Sequence, residues 1–366
     1  MTPSFPTAPN WDGNHLGALV PALLREPSDR PTWLPSSVQS AKRVVLLVLD
    51  GLGADAVHAY NLPTISSMEG GEMPTVCPAT TAAALTSLVC GCLPGRHGVT
   101  GFRVRVRGDV LNVLRWRTQN GTTVIPHQFQ PLSAFGGALV PVIAPAEYER
   151  SGFTQAHLRG LPYRAALSRT TSIELAVREV SAGTQLVYVY DAVVDQVAHR
   201  YGLRDGMYEA EARSADRYVA TMLERLPGDV ALIVTADHGQ VHIDGWIELP
   251  EEVQAEVAVA AGDARFRSLY SYPGRASVLH ERARAALESQ AWVMTREELE
   301  ASGWLGPVSR TAAERLGDVI VIPHGPVGIY DPTLPGERGL RSAHGGFAPE
   351  EMLVPLRAAW GRGGTA

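Results

Sequence analysis

Cysteine is scarce in this 366-residue chain, which has three in all. Cys77, Cys90 and Cys92 lie within one short stretch, so the chain lacks the even, dispersed set of cysteines that is typical of a secreted disulfide-rich domain. Cys90-Gly-Cys92 has no second cysteine pair that would complete a metal site. We therefore interpret the three thiols as packing residues.

Long apolar runs are also missing. The N-terminal stretch MTPSFPTAPNWDGNHLGALVPALL has neither the basic start nor the long apolar centre of a signal peptide. No run of the sequence approaches the length that a membrane span needs. The sequence therefore predicts a cytoplasmic protein without a membrane partner.

Positive charge is not in excess. The chain has 32 Lys and Arg against 38 Asp and Glu, a formal net charge of -6. This balance argues against nucleic-acid binding as the main purpose. The composition, 45% hydrophobic and 19% charged, is that of an ordinary globular protein. None of these values indicates an oligomeric state.

Short apolar runs are present instead, at residues 43–50, 184–195 and 229–237. Continuous apolar runs of this length favour strands buried on both faces, as in parallel sheets. Helical patterns lie between them, at 80–91 and 207–226 among others. The alternation predicts an α/β fold with a mainly parallel central sheet flanked by helices.

Three other segments have a different character. Residues 1–40 are rich in Pro and Ser and are predicted to be irregular. The stretch FRVRVRGDVLNVLRW predicts a hairpin that turns at Gly108-Asp109, with Arg103, Arg105 and Arg107 on its solvated face; contact of these arginines with a substrate is the alternative. Residues 250–325 predict a smaller subdomain inserted into a single domain that spans residues 1–366.

Acids and histidines follow the predicted strands. Ligands of open α/β sheets bind outside the carboxyl ends of the strands, so these side chains are expected at one edge of the sheet. The candidate residues are Asp50, Asp195, His199, Asp237, His238 and, near the C-terminus, His344.

Carboxylates and neutral imidazoles are the ligands expected for zinc or manganese. Asp195 and His199 have the i, i+4 spacing of one helix face. Gly239 permits a turn after Asp237 and His238, which lets neighbouring side chains converge. Six such ligands exceed the needs of one tetrahedral ion, so the sequence predicts a pair of divalent ions.

A nucleophile is expected beside such a pair. Thr80 and Thr81 open the helix at 80–91, where backbone N–H groups and the helix dipole favour an anion. A threonine hydroxyl attacks poorly unless a metal or base assists it. Each feature also has an ordinary structural reading, since threonines often cap helices and strand-end acids often begin them. The prediction depends on all of them occurring together.

The ordered motifs VVLLVLDGLG, PATTAAALTSLVCGCLPGRHGVTG, DQVAHRYG, TADHG and SAHGG resemble the alkaline phosphatase superfamily, within it the nucleotide pyrophosphatase/phosphodiesterase branch. The resemblance spans residues 43–356. It implies one metal site at Asp195, His199 and His344, and a second at Asp50, Asp237 and His238.

The same resemblance identifies the nucleophile. The family threonine precedes the first glycine of a G-x-x-P-x-x-H-G turn by ten residues. That turn is GCLPGRHG here, beginning at Gly91, so the count selects Thr81, whose oxygen would also bind the second metal. Thr80 remains the alternative.

The resemblance implies hydrolysis of a phosphodiester or nucleotide pyrophosphate through a covalent threonine intermediate, with Zn²⁺ expected and Mn²⁺ an alternative. A small phosphodiester or nucleotide would be the substrate. Phosphomonoester or phosphonate hydrolysis, or an inactive metal-binding protein, are the alternatives. A sulfatase would need a C/S-x-P-x-R motif, and a dinucleotide-binding protein would need GxGxxG; neither is present.

Overall fold

The computed structural model describes residues 3–364. Its strands are β1 (Arg43–Leu49), β2 (Glu69–Pro74), β3 (Arg103–Val106), β4 (Asp109–Asn112), β5 (Arg117–Thr118), β6 (Val142–Pro145), β7 (Tyr163–Ala166), β8 (Leu186–Asp191), β9 (Val230–Thr235), β10 (Val241–His242), β11 (Gly245–Ile247), β12 (Val257–Asp263), β13 (Phe266–Ser271), β14 (Ala291–Thr295), β15 (Val319–Pro323), β16 (Val327–Ile329), β17 (Ser342–Ala343) and β18 (Leu353–Trp360).

The helices of the same range are α1 (Leu16–Leu23), α2 (Ser36–Ser40), α3 (Ala54–Ala59), α4 (Pro63–Ser67), α5 (Thr81–Cys90), α6 (Pro94–His97), α7 (Pro126–Phe129), α8 (Gly152–His157), α9 (Arg169–Ser181), α10 (Val193–Tyr201), α11 (Met207–Arg225), α12 (Glu251–Gln254), α13 (Ala276–Leu287), α14 (Arg296–Ala301), α15 (Arg310–Glu314) and α16 (Pro349–Met352). Within residues 3–364, no helix has both the length and the apolar character that crossing a bilayer requires.

The central sheet has seven strands in the order β2-β18-β9-β1-β8-β6-β7. Five neighbouring strands, from β9 to β7, are parallel, and β18 is antiparallel to both of its neighbours. In β1, the side chains from Val44 to Leu49 are at most 1% exposed, because helices cover both faces. The predicted fold class is confirmed.

A second sheet lies within residues 257–323. Its four strands are antiparallel, in the order β12-β13-β15-β14. Helix α13 packs its buried Leu279, Ala283 and Leu287 into an apolar cluster with Leu269 and Val321 of this sheet. The segment therefore has apolar packing of its own. Its status as an inserted subdomain of a single domain stays a prediction.

The prediction that residues 1–40 are irregular was wrong in part; residues 1–2 lie outside the described range. Helix α1 occupies Leu16–Leu23, and α2 occupies Ser36–Ser40. Leu16, Leu19, Val20 and Leu23 have helical spacing and are at most 4% exposed, in the main core. The surrounding prolines and serines masked this short apolar pattern.

The predicted hairpin forms, but its turn lies at Arg107 and Gly108, both at positive φ, one residue before the predicted Gly108-Asp109. Its arginines differ from the prediction of one solvated face. Arg103 is 3% exposed and pairs with the buried carboxylate of Asp331. Arg105 is half-buried, and Arg107 is the one exposed arginine of the three. A distant part of the chain covers this face, which local alternation does not reveal.

Candidate metal centre

The candidate acids lie at the ends of three adjacent strands. Asp50 follows β1, Asp237 follows β9, and Asp195 lies in the first turn of α10, just after β8. Strand β1 pairs in parallel with β8 on one side and with β9 on the other. The carboxyl ends of all three strands therefore meet, and the acids meet with them.

Each candidate histidine comes from a neighbouring segment. His199 lies one helical turn after Asp195 in α10, and His238 directly follows Asp237. His344 follows the short strand β17, which pairs with β10. Gly345 has φ 122, and a side chain there would meet Thr80, so glycine permits the turn that brings His344 inward.

The first group consists of Asp195, His199 and His344. His199 Nε2 lies 3.3 Å from Asp195 Oδ1, and His344 Nε2 lies 3.8 Å from the same oxygen. The two Nε2 atoms are 3.3 Å apart. One ligand atom from each residue lies within 4.8 Å of the others, a separation that one metal ion can span.

The second group lies around His238. Its Nε2 is 3.4 Å from Asp50 Oδ1 and 3.4 Å from Asp237 Oδ2. Asp195 also approaches this group, because Asp50, Asp195 and His238 bring ligand atoms within 4.8 Å of one another. The rings of His238 and His344 stack at 3.5 Å between centroids. The structure thus brings all six sequence-predicted ligands together in two adjoining groups.

Backbone carbonyls set the histidine tautomers. The Nδ1 atoms of His199, His238 and His344 lie 2.8, 2.9 and 2.8 Å from carbonyl oxygens. A carbonyl only accepts, so each Nδ1 carries the proton and each Nε2 presents a lone pair. The lone pairs of His199 and His344 face each other, an arrangement that is repulsive until a cation lies between them.

Two carboxylate oxygens of the centre also lack a hydrogen-bond donor. Asp50 Oδ1 and Asp237 Oδ2 are buried and accept no hydrogen bond. Among residues 3–364, the only basic side chains within 4.0 Å of the carboxylates of Asp50, Asp195 and Asp237 are histidines. Burial and the two neighbouring carboxylates raise the pKa of Asp50 well above its usual value. The donor set and these orphaned oxygens fit divalent cations.

Thr81 lies against the second group. It is the first residue of α5, and its Oγ1 is 3.1 Å from His238 Nε2. Helix N-termini present backbone N–H groups that have no partner within the helix, so a phosphoryl oxygen fits beside Thr81. Thr80 Oγ1 is also buried, but within residues 3–364 it forms no hydrogen bond with a candidate ligand or with any other group.

Residues that the sequence did not single out position the candidate ligands. Tyr190 of β8 donates its hydroxyl to Asp50 Oδ2. Gln240 Nε2 donates to Asp195 Oδ1 at 2.6 Å, and the amide oxygen of Gln240 accepts from Ser342 at 3.0 Å. Hydrogen-bonding partners of this kind orient metal ligands. Their sequence signal is weak, because tyrosine and glutamine are ordinary at such positions.

Two cavities open beside Thr81 and Asp195. One, of about 250 Å³, is lined mainly by aromatic and aliphatic side chains, among them Tyr148, Phe153 and Tyr163. The other, of about 520 Å³, includes polar groups from Asn112 and Arg115. A molecule with two different arms can therefore place one arm on each side of the threonine.

Comparison with known families and structures identifies the family and the fold of the chain. A model of the family described as type I phosphodiesterase/nucleotide pyrophosphatase matches residues 44–346. No curated protein shows significant sequence similarity to the chain.

Several solved structures share the fold at low sequence identity. Murine ectonucleotide pyrophosphatase/phosphodiesterase 5 is 15% identical, with a TM-score of 0.68 and coverage of 88% of this chain and 90% of that one. The human protein of the same name is 14% identical, with a TM-score of 0.67 and coverage of 88% of each chain. Phosphonoacetate hydrolase from Sinorhizobium meliloti 1021, in complex with phosphonoformate, is 18% identical, with a TM-score of 0.59 and coverage of 88% and 91%.

Proposed function

The chain belongs to the type I phosphodiesterase/nucleotide pyrophosphatase family of hydrolases, whose model spans residues 44–346, and from this premise we propose that it cleaves phosphodiester or nucleotide pyrophosphate bonds with Thr81 as the nucleophile. The observation that carries the proposal is the position of Thr81 Oγ1, 3.1 Å from His238 Nε2 at the head of α5. No other hydroxyl in the described residues combines a candidate ligand at this distance with a helix N-terminus.

Two divalent metal ions are part of the proposal. Asp195, His199 and His344 would hold one ion, and a second set would hold the other, consisting of Asp50, Asp237 and His238 with the oxygen of Thr81. When bound, the ions neutralise charge on the phosphoryl group and promote ionisation of the attacking hydroxyl. Three imidazoles among six protein ligands favour zinc, with manganese as the alternative.

The chain's own residues account for the order of events. Thr81 Oγ gives its proton to water and bonds to phosphorus as the bond to the leaving oxygen breaks, and the leaving oxygen takes up a proton from water. The intermediate is a threonine phosphodiester that keeps the other organic arm of the substrate. Water then attacks its phosphorus, a proton returns to Thr81 Oγ, and the phosphomonoester product leaves. The first-turn N–H groups of α5 can donate to the phosphoryl oxygens as charge develops on them. Tyr190 and Gln240 keep Asp50 and Asp195 in place throughout.

The shape of the site supports a diester over a monoester. The aromatic cavity and the larger polar cavity both include Thr81 in their walls. A phosphodiester has two organic arms, whereas a monoester would leave one of these cavities without substrate. Murine ectonucleotide pyrophosphatase/phosphodiesterase 5 has been solved as an inactive variant in complex with AMP, a small phosphate compound. We propose that the substrate here is also a small phosphate compound.

The test is hydrolysis of an aryl phosphodiester and an aryl phosphomonoester by purified wild type and by Thr81→Ala. We expect the wild type to prefer the diester. Thr81→Ala should lose at least about 1,000-fold in kcat, since the covalent step needs the nucleophile. Metal content, measured by elemental analysis, should stay within a factor of about two of the wild type, because the variant loses the Thr81 oxygen but keeps all the proposed carboxylate and imidazole ligands.

Thr80→Ala is the matched control, because it removes the neighbouring hydroxyl and leaves Thr81 intact. It should keep most of the activity. Full activity in Thr81→Ala, with Thr80→Ala inactive, would move the nucleophile to Thr80. A wild type that binds metal and hydrolyses neither ester, nor a phosphonate, would identify the protein as an inactive metal-binding relative.

A further inference from the structure

A third cavity, of about 270 Å³, lies away from the metal ligands. It is bounded by the β3–β4 hairpin, helix α7 and helix α15, and Arg105, Arg107 and Arg315 all contribute to its wall. It shares no lining residue with the two cavities that adjoin Thr81. A molecule bound here would leave the proposed hydrolytic site open.

Arg315 forms the buried part of this wall, with 7% of its surface exposed. Its guanidinium donates to the carbonyl oxygens of Gly98 at 2.6 Å and Phe129 at 2.9 Å. It also lies over the Phe129 ring, 3.9 Å from the centroid. Burial lowers the pKa of Arg315 to about 10, the direction expected for a cation that lacks a full counter-charge.

Arg105 and Arg107 approach from the hairpin. Arg105 is stacked over Tyr270, 4.9 Å from the ring centroid, and its Nε is buried without a hydrogen-bond partner. Arg107 is exposed, and its only hydrogen bond in the described range is to Gln128 Oε1 at 3.4 Å. Both guanidinium groups therefore keep donors that no protein group takes up.

Acidic groups do not neutralise this cluster. Among residues 3–364, no carboxylate lies within 4.0 Å of Arg105, Arg107 or Arg315, although ion pairs are frequent nearby. Glu314 is the one acid in the cavity wall, and Arg310 Nε already donates to it at 2.9 Å. The positive charge is notable because the whole chain carries a net charge of -6.

We propose that this cavity binds a small soluble oxyanion with two negative charges, such as phosphate or sulfate. Guanidinium groups bind such anions through pairs of parallel hydrogen bonds. The oxyanion would take up the free donors of Arg105 and Arg107 and the uncompensated charge of Arg315, with Gln128 and Thr311 as neutral donors. The volume, about 270 Å³, suits a compact ion. This site is independent of the proposed hydrolysis.

The experiment is thermal unfolding of the metal-loaded protein over a series of sulfate concentrations, with chloride keeping the ionic strength constant. A ligand that binds the folded state raises the midpoint with concentration, which yields its dissociation constant. We compare the wild type with Arg105→Gln/Arg107→Gln. The control is Arg117→Gln, which removes one positive charge, against two in the double variant, from an exposed residue of the neighbouring strand β5, outside the cavity.

We expect sulfate to bind the double variant at least tenfold more weakly than the wild type, and Arg117→Gln to match the wild type. Hydrolysis of the aryl phosphodiester should be unchanged in all three, because the cavities are separate. Equal sulfate binding in the wild type and the double variant overturns the proposal, as does an equal loss in Arg117→Gln. If the double variant does not fold, Arg107→Gln alone, at an exposed position, should still weaken binding about threefold, and no change there also overturns the proposal.

Discussion

Two buried groups of charged residues lie close together in the folded protein and differ in their hydrogen bonding. The first is the ion pair of Arg265 and Glu351, at 1% and 0% side-chain exposure. Arg265 donates from Nε and Nη2 to Glu351, and from Nη1 to the carbonyls of Gly325 and Val327. Glu351 also accepts from the N–H groups of Gly346 and Ala348.

The second is the candidate metal centre. Its carboxylates lie together with no arginine or lysine partner in the described range, and one oxygen of each of two acids, Asp50 Oδ1 and Asp237 Oδ2, accepts no hydrogen bond. The difference shows how to separate structure from function among buried charges. A buried network in which each charge has an opposite charge and hydrogen-bond partners, here called closed, stabilises the fold. A buried network of carboxylates without such partners, here called open, needs a ligand. The two are connected, because Glu351 holds Gly346, two residues after His344.

Breaking the open network should affect hydrolysis most. Asp50→Asn removes a proposed metal ligand, so we expect the aryl phosphodiester rate to fall by about 1,000-fold, equivalent to about 4 kcal/mol of barrier. In metal-free protein the free energy of unfolding should stay the same or rise, because a buried carboxylate among like charges is removed.

Rate measurements and urea unfolding after chelation test both halves of this prediction. Asp12→Asn, at an exposed site, is the matched control and should change neither value. For metal-free Asp50→Asn, a fall of more than about 1 kcal/mol in the free energy of unfolding would make Asp50 a structural residue. That result would contradict the proposed difference between the candidate metal centre and the Arg265–Glu351 pair.

Breaking the closed network should affect stability. Glu351→Gln leaves the Arg265 guanidinium buried without its counter-charge, so we expect the free energy of unfolding to fall by about 3–5 kcal/mol. Urea unfolding of the metal-loaded protein measures it. Glu350→Gln, at the exposed neighbouring position, should stay within about 0.5 kcal/mol of the wild type. A loss below about 1 kcal/mol in Glu351→Gln would show that the pair is dispensable.

The pH dependence of the free energy of unfolding extends the comparison to a histidine whose two ring nitrogens both have hydrogen-bond partners. His97 is buried; its Nδ1 accepts from the Val99 N–H at 3.1 Å, and its Nε2 donates to Ser87 Oγ at 2.8 Å. Burial, and secondarily Arg315, lower its pKa from 6.5 to about 3. Between these two values the unfolded chain binds the proton and the folded protein does not. The resulting stability is fully present above pH 6.5 and is lost as the pH falls toward 3.

His97→Gln retains one donor and one acceptor and removes the titration. The free energy of unfolding of the wild type should therefore fall more steeply between pH 6 and pH 4, by up to about 1.4 kcal/mol per pH unit, than that of His97→Gln. Urea unfolding across this range measures both slopes. His58→Gln, at an exposed position, should keep the wild-type slope. If the free energy of unfolding changed with pH in the same way in the wild type and in His97→Gln, His97 would not be a neutral, fully hydrogen-bonded residue of the folded protein.

The main sheet and its strand ends could be predicted because their signals are local. The buried strand ending at Leu49 is a continuous apolar run, and the polar residue that ends it is Asp50. Helix α1 was missed because its apolar spacing is short and is interrupted by Pro21. The burial of Arg103 could not be predicted, because its partner Asp331 lies 228 residues away.

The amino-acid sequence alone determined the α/β class, the threonine at a helix start and the six candidate ligands on four segments, because apolar periodicity and strand-end residues are local properties. Only the tertiary structure decided which oxygens are left without partners, which ring nitrogens face each other, and which arginines remain without a carboxylate. Those outcomes depend on contacts between residues more than a hundred positions apart, which packing brings together and no local pattern specifies.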